Sequence, residues 1–181
     1  MYHGFVRSRD GKITQFDPPG SIYTYPCEET CLSPDGTLTG FYLDSDDTFH
    51  GFVRTPDGIT NIDAPGAGTG GALGTICASI AGAAITGYTQ DANVVGHGFL
   101  RSPDGTFTVF DAPGAGTSPG QGTAAFSLNT PQTVTGIYID ANNLFHGFTR
   151  YPNGSFATFN APGSGTGTDQ GMRAHPRDGP L

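Results

Sequence analysis

Hydrophobic residues in this chain come in short alternating runs, each ending at a glycine, a proline or an Asp/Asn turn signal. In the segment FHGFVRTP, residues 49–56, polar and apolar positions alternate, so that His50, Phe52 and Arg54 share one face of an extended strand. The same order recurs from His3, His97 and His146. These His-Gly-Phe sites lie 47, 47 and 49 residues apart. A fixed period of this size marks a repeat architecture and outranks any local signal.

Each full repeat divides into four strand-like pieces. In the last they are TAAFSLN, TVTGIYID, FHGFTRYP and SFATFNAP; in the first, TCLS, TLTGFYLD, FHGFVRTP and ITNIDAP. β-Branched and aromatic residues dominate them, as strands require. Between the third and fourth pieces stands Asp-Gly or Asn-Gly (Asp10-Gly11, Asp57-Gly58, Asp104-Gly105, Asn153-Gly154), which predicts tight hairpins with glycine at positive φ. The fourth piece ends in Asp/Asn-x-Pro-Gly, where proline stops the strand and glycine permits the turn. No stretch reads as a helix. Four antiparallel strands per ~47 residues is the unit of a β-propeller blade. One such sheet cannot bury both faces, and stacking copies does. The predicted fold is an all-β propeller of about four blades, with a half-blade at 3–20, blades at 21–66, 67–114 and 115–163, and an irregular tail at 166–181. A β-solenoid is the competing architecture.

Composition narrows the function classes. The net charge of −8 argues against a phosphate-backbone partner, so no nucleic acid is expected. No apolar run approaches the ~20 residues of a membrane-spanning helix. The three cysteines, Cys27, Cys31 and Cys77, leave at least one thiol unpaired, and the CEETC pair is a weak metal signal.

The run of Gly-x-Tyr/Phe-x-(x)-Asp, His-Gly-Phe, Asp-Gly and Asp-x-Pro-Gly resembles bacterial extracellular repeats of the HAF type, and more closely their His-Gly-Phe relatives. The resemblance covers roughly residues 2–165. It implies a propeller in a secreted or cell-surface setting and implies no established activity. The family's Ile-Asn-x-x-Gly turn is approached only by SLNTPQ, while LSPDG and SIAGA have drifted from it.

The first repeat supplies only its last two strands, and the tail lacks an equivalent of TVTGIYID, which reads as part of a longer array. Closure within one chain and closure between two are both open, and the unpaired edges favour a homodimer joined through incomplete blades.

His3, His50, His97 and His146 hold equivalent places, each followed by glycine. If their strand is innermost, the imidazoles converge on the axis and suit Zn or a similar divalent metal, which could generate hydroxide for hydrolysis of esters or phosphoesters. The other reading is that each histidine hydrogen-bonds within the fold. Asp44, Asp91 and Asp140, six residues before a histidine, either orient an imidazole, join a calcium site or form Asx turns. Arg54, Arg101 and Arg150 are expected to bridge Asp17, Asp63 or Asp111, or to clamp a ligand anion. Tyr42, Tyr88 and Tyr138 are read mostly as blade-packing residues, of which exposed ones could stack on sugar rings. Two functions follow. One is a non-catalytic extracellular module binding a small molecule, glycan or partner at the axial face. The other is the metal-dependent hydrolase.

Overall fold

The computed structural model describes residues 2–27, 30–165, 167 and 170. These residues form fourteen strands and no helix. β1 (Gly4–Arg7) and β2 (Ile13–Phe16) make a separate antiparallel hairpin. Three four-stranded units follow. The first contains β3 (Ser21–Pro26), β4 (Leu38–Asp44), β5 (Thr48–Thr55) and β6 (Gly58–Ile62). The second contains β7 (Leu73–Ala81), β8 (Ala84–Gln90), β9 (Gly96–Arg101) and β10 (Phe107–Phe110). The third contains β11 (Gly122–Leu128), β12 (Val134–Ile139), β13 (Phe145–Arg150) and β14 (Phe156–Phe159).

Within each unit the strands pair antiparallel in chain order. The units are joined by short parallel contacts, Thr48 and Phe49 beside Leu73 and Gly74, and Gly96 beside Gly122. Hydrogen bonding thus links all twelve strands of the three units into one sheet. Each first strand also packs on the unit before it, β7 against β4 and β11 against β8, and β7 and β11 lie against one another.

The turns follow from their residues. In Ser102–Thr106 the Gly105 N–H donates to the Ser102 carbonyl at 3.0 Å or less and Gly105 takes φ +91°, the left-handed residue of a three-residue hairpin loop. The loops at Gly11 and Gly154 repeat this, whereas β5 and β6 close directly with Thr55 paired to Gly58. After each fourth strand, Pro-Gly forms the centre of a turn: Ala67 N–H donates to the Ala64 carbonyl, and Ala115 N–H to that of Ala112.

The core lies between units rather than inside them. Phe52, Phe99 and Phe148 are fully buried at one position of the third strand. Phe52 meets Phe16 of the hairpin before it edge-on at 5.9 Å, and Phe148 meets Phe110 of the second unit at 6.1 Å. The equivalent seam between the first two units is Ile62 and Ala64 against Cys77, Ile80, Ile85 and Phe99. A glycine makes space for each phenylalanine. A Cβ on Gly87 would collide with the Ile76 carbonyl oxygen and come within 2.9 Å of the Phe99 ring. Gly40 and Gly136 do the same for Phe52 and Phe148. Stacked units whose cores are shared are the mark of repeat proteins, in which stability is largely a matter of neighbour contacts.

The first unit departs in one loop. Between β3 and β4 it carries a Cys27–Cys31 disulfide. That loop reaches onto the second unit, where Ile80 N–H donates to the Thr30 carbonyl at 2.8 Å and the Ser33 hydroxyl to the Gly82 carbonyl at 2.8 Å. The Thr30 and Ser79 hydroxyls meet at 2.5 Å, and Ser79 Oγ also accepts the Leu128 N–H of the third unit at 3.2 Å. The tail expected at 166–181 lies outside the described residues apart from Gly167 and Gln170.

Candidate functional site

Each repeat builds one histidine clasp. The aspartate ending the second strand closes an Asx turn: Asp44 Oδ1 accepts the N–H groups of Asp46 and Thr48, both at 2.9 Å. Asp91 and Asp140 hold the matching turns with Asn93 and Val95, and with Asn142 and Leu144. Oδ2 of Asp44 and Asp140 is left to face the third strand, while Asp91 Oδ2 also accepts the Asn93 side-chain amide at 3.3 Å. His50 Nε2 lies 3.1 Å from Asp44 Oδ2, and His146 Nε2 3.1 Å from Asp140 Oδ2; in the second unit the gap is 3.8 Å. The other ring nitrogen faces the residue after the fourth strand. His3 Nδ1 meets Asp17 at 2.8 Å, His50 Nδ1 meets Asp63 at 3.0 Å and His97 Nδ1 meets Asp111 at 2.9 Å. In the third unit Asn160 replaces the aspartate at 2.7 Å. A tyrosine ring covers the imidazole in two units, Tyr42 on His50 at 5.1 Å and Tyr138 on His146 at 4.7 Å.

The electrostatics follow. Burial pulls the His50 pKa down, but the hydrogen bonds and charges of Asp63 and Asp44 outweigh it, and the net shift is upward. For Asp44, burial raises the pKa, while the Thr48 N–H and His50 bonds outweigh it and hold the carboxyl below its ordinary value. The clasp of the first unit therefore favours an ion pair.

The histidines stand on the third strand of each unit, flanked by the second and the fourth. The inner-strand placement on which their convergence was expected is therefore not the one built. Both ring nitrogens of His50 and His146 are engaged within their own repeat. Among the described residues no three His, Cys, Asp or Glu side chains group as a metal would require. These side chains, as arranged, do not fit the axial Zn-type site.

The arginines also differ from expectation. Arg54 lies over the Phe16 ring and Arg150 over Phe110, each 5.0 Å from the centroid. Ion pairs among the described residues join carboxylates to histidines, not to these arginines. The aspartates expected as arginine partners are the histidines' partners instead. The hairpin register carried that signal, because pairing Gly51 with Ile62 sets His50 beside Asp63. For Arg101 the residue equivalent to Phe16 and Phe110 is Ile62, which offers no ring. Tyr88 is not the equivalent of Tyr42 and Tyr138, since Thr89 pairs with His97 where those tyrosines pair with His50 and His146.

Tyr88 points to a different feature. A cavity of about 170 Å³ lies between β8 of the second unit and β11 and β12 of the third, lined by Tyr88, Gln90, Gln121, Phe126, Ile137 and Ile139. Tyr88 and Phe126 meet edge-on at 6.1 Å. Gln121 is fixed by donating to Asn143 Oδ1 at 2.8 Å and accepting the Ser118 N–H at 3.1 Å. Burial pushes the Tyr88 hydroxyl pKa upward. In the first unit the same sheet face carries packed rings instead, with Tyr25 stacked on Phe41 at 5.1 Å and Phe41 edge-on to Phe49 at 5.6 Å. These residues are not repeated from unit to unit, so no repeat signal marks them. No family model matches the chain, and no characterised protein matches it in sequence.

Proposed function

We propose that the chain is a non-catalytic, extracellular or cell-surface repeat module of β-propeller type, which binds a small organic molecule or a glycan at the cavity between its second and third units. The observation that carries this reading is a division of labour. The repeated polar residues, His50 with Asp44 and Asp63 and their equivalents, satisfy one another inside each unit. The residues that differ between units, Tyr88, Gln90, Gln121 and Phe126, line the cavity. A concave, mainly apolar site with a few polar groups is the usual form of a small-ligand pocket. Packing of β7 on the first unit and of β11 on the second supports the propeller, and the Cys27–Cys31 disulfide supports an oxidising compartment.

The test is saturation-transfer NMR with soluble mono- and disaccharides, then with small aromatic compounds. Gln90→Ala and Tyr88→Phe, which leave the ring packing in place, should weaken binding by about tenfold, or 1.4 kcal/mol. Binding that survives both changes, or no binding by either class of probe, overturns the reading.

A further inference from the structure

The two ends of the stack carry matching halves of the seam that joins the units. Phe5 occupies in the β1–β2 hairpin the place that Phe52, Phe99 and Phe148 hold at full burial, yet it is 62% exposed. Ile13, across from Arg7 as Phe156 is from Arg150, is 64% exposed. At the other end Phe159 stands where Phe16, Ile62 and Phe110 are buried, and it is 48% exposed. Thr135 is also exposed, while its counterparts Thr39 and Thr86 are fully buried beneath the following unit. One end thus presents the aromatic face that a unit turns toward its predecessor, and the other presents the face that receives it. Among the described residues the two do not meet.

We propose that two copies of this chain associate head to tail, the β1–β2 hairpin of one seated on the β13–β14 face of the other. Phe5 then packs against Phe159 as Phe148 packs against Phe110. Arg7 lies over the Phe159 ring, as Arg54 lies over Phe16 and Arg150 over Phe110. The backbone supports continuation at the receiving end: the Gln170 carbonyl accepts the Phe145 N–H at 3.0 Å, the step by which Gln121 takes the Gly96 N–H at 2.9 Å where the third unit begins. A second copy is the occupant because the internal seams show what fits this face, namely a phenylalanine with an arginine two residues on. Such a contact is heterologous, and where its rotation closes, two of them join a pair of chains into a ring.

Light scattering over a concentration series on the full chain tests this. The wild type should reach twice 18.7 kDa. Phe5→Asp and Phe159→Asp, both at exposed positions, should each run as monomers with melting curves close to wild type. Mixed in equal amounts they should pair again, through the intact hairpin of one and the intact β14 face of the other, more weakly than wild type because only one junction remains. A wild type that stays at the monomer mass near millimolar concentration overturns the proposal. So does either variant that still self-associates, or a mixture that does not pair.

Discussion

The seam between the first and second units and the seam between the second and third solve one packing problem with different side chains. In the later seam Phe110 fills the space beside Gly98, where a Cβ would come within 2.5 Å of its ring, and the facing first strand carries Ala125. In the earlier seam the fourth strand ends in the smaller Ile62, and Cys77 takes the place of Ala125, bringing its sulfur to 2.5 Å from where a Gly51 Cβ would stand. Volume lost on one unit is returned by its neighbour. Burial pushes the Cys77 thiol up to about 12, so it serves as packing and not as a nucleophile. What is preserved between seams is filled space, not residue identity.

Exchanging the two solutions gives the largest expected effect. Ile62→Phe alone should overpack the first seam and cost about 1–3 kcal/mol. Cys77→Ala alone should leave a small void and cost about 1–2 kcal/mol. Together they recreate the Phe110–Ala125 pairing and give Arg101 a ring to lie on, so the double variant should recover at least about 1 kcal/mol of the summed loss. Denaturant unfolding of the four proteins measures this, and strict additivity would show that the seams do not compensate as described.

A smaller difference separates the Asx turns. The fourth residue of each is left-handed: Asp47 at φ +61°, Val94 at +62° and Asn143 at +60°. Only the second unit places a β-branched side chain there, where such residues are strained. Val94→Asn should therefore stabilise by about 1 kcal/mol, read as a raised melting temperature; no gain would mean that Val94 packing offsets the strain.

The smallest effect concerns the clasps. His50 sits between two carboxylates and His146 between Asp140 and Asn160. A raised histidine pKa gives stability that is complete below the ordinary histidine value of 6.5 and is lost as pH rises through the folded value. A lowered Asp44 pKa gives stability complete above 3.8 and lost as pH falls through the folded value. The first clasp therefore contributes most between those two values. Asp63→Asn should lower the His50 pKa in an NMR titration and flatten stability on the alkaline side of the window. An unchanged titration would assign the shift to Asp44 alone.

The repeat, the last three strands of each unit and the turns were legible because they depend on local chemistry; TCLS, read as the first strand of the first unit, instead lies in the disulfide-bearing loop, and that strand is β3. Asp-Gly, Pro-Gly and alternating β-branched residues mean the same thing in any fold. Whether Asp63 faces Arg54 or His50 was less open, since antiparallel pairing of β5 with β6 decides it, but arginine's charge suggested the wrong partner and its stacking on Phe16 depends on the neighbouring unit. The Ile62–Cys77 exchange was not legible, as it joins residues in different repeats that each look like drift alone. The same holds for the cavity, where Tyr88 is displaced by one position from the register of Tyr42 and Tyr138.

Ser79 gives the stack a different topology of dependence. Its single hydroxyl oxygen meets Thr30 of the first unit and the Leu128 N–H of the third. Units that do not follow one another in the chain are thereby joined through one atom of the unit between them. A row of repeats held only by adjacent seams can fray from an end, one member at a time. Here the loss of the first unit's loop would be felt two repeats away, which binds the row toward opening as a single body.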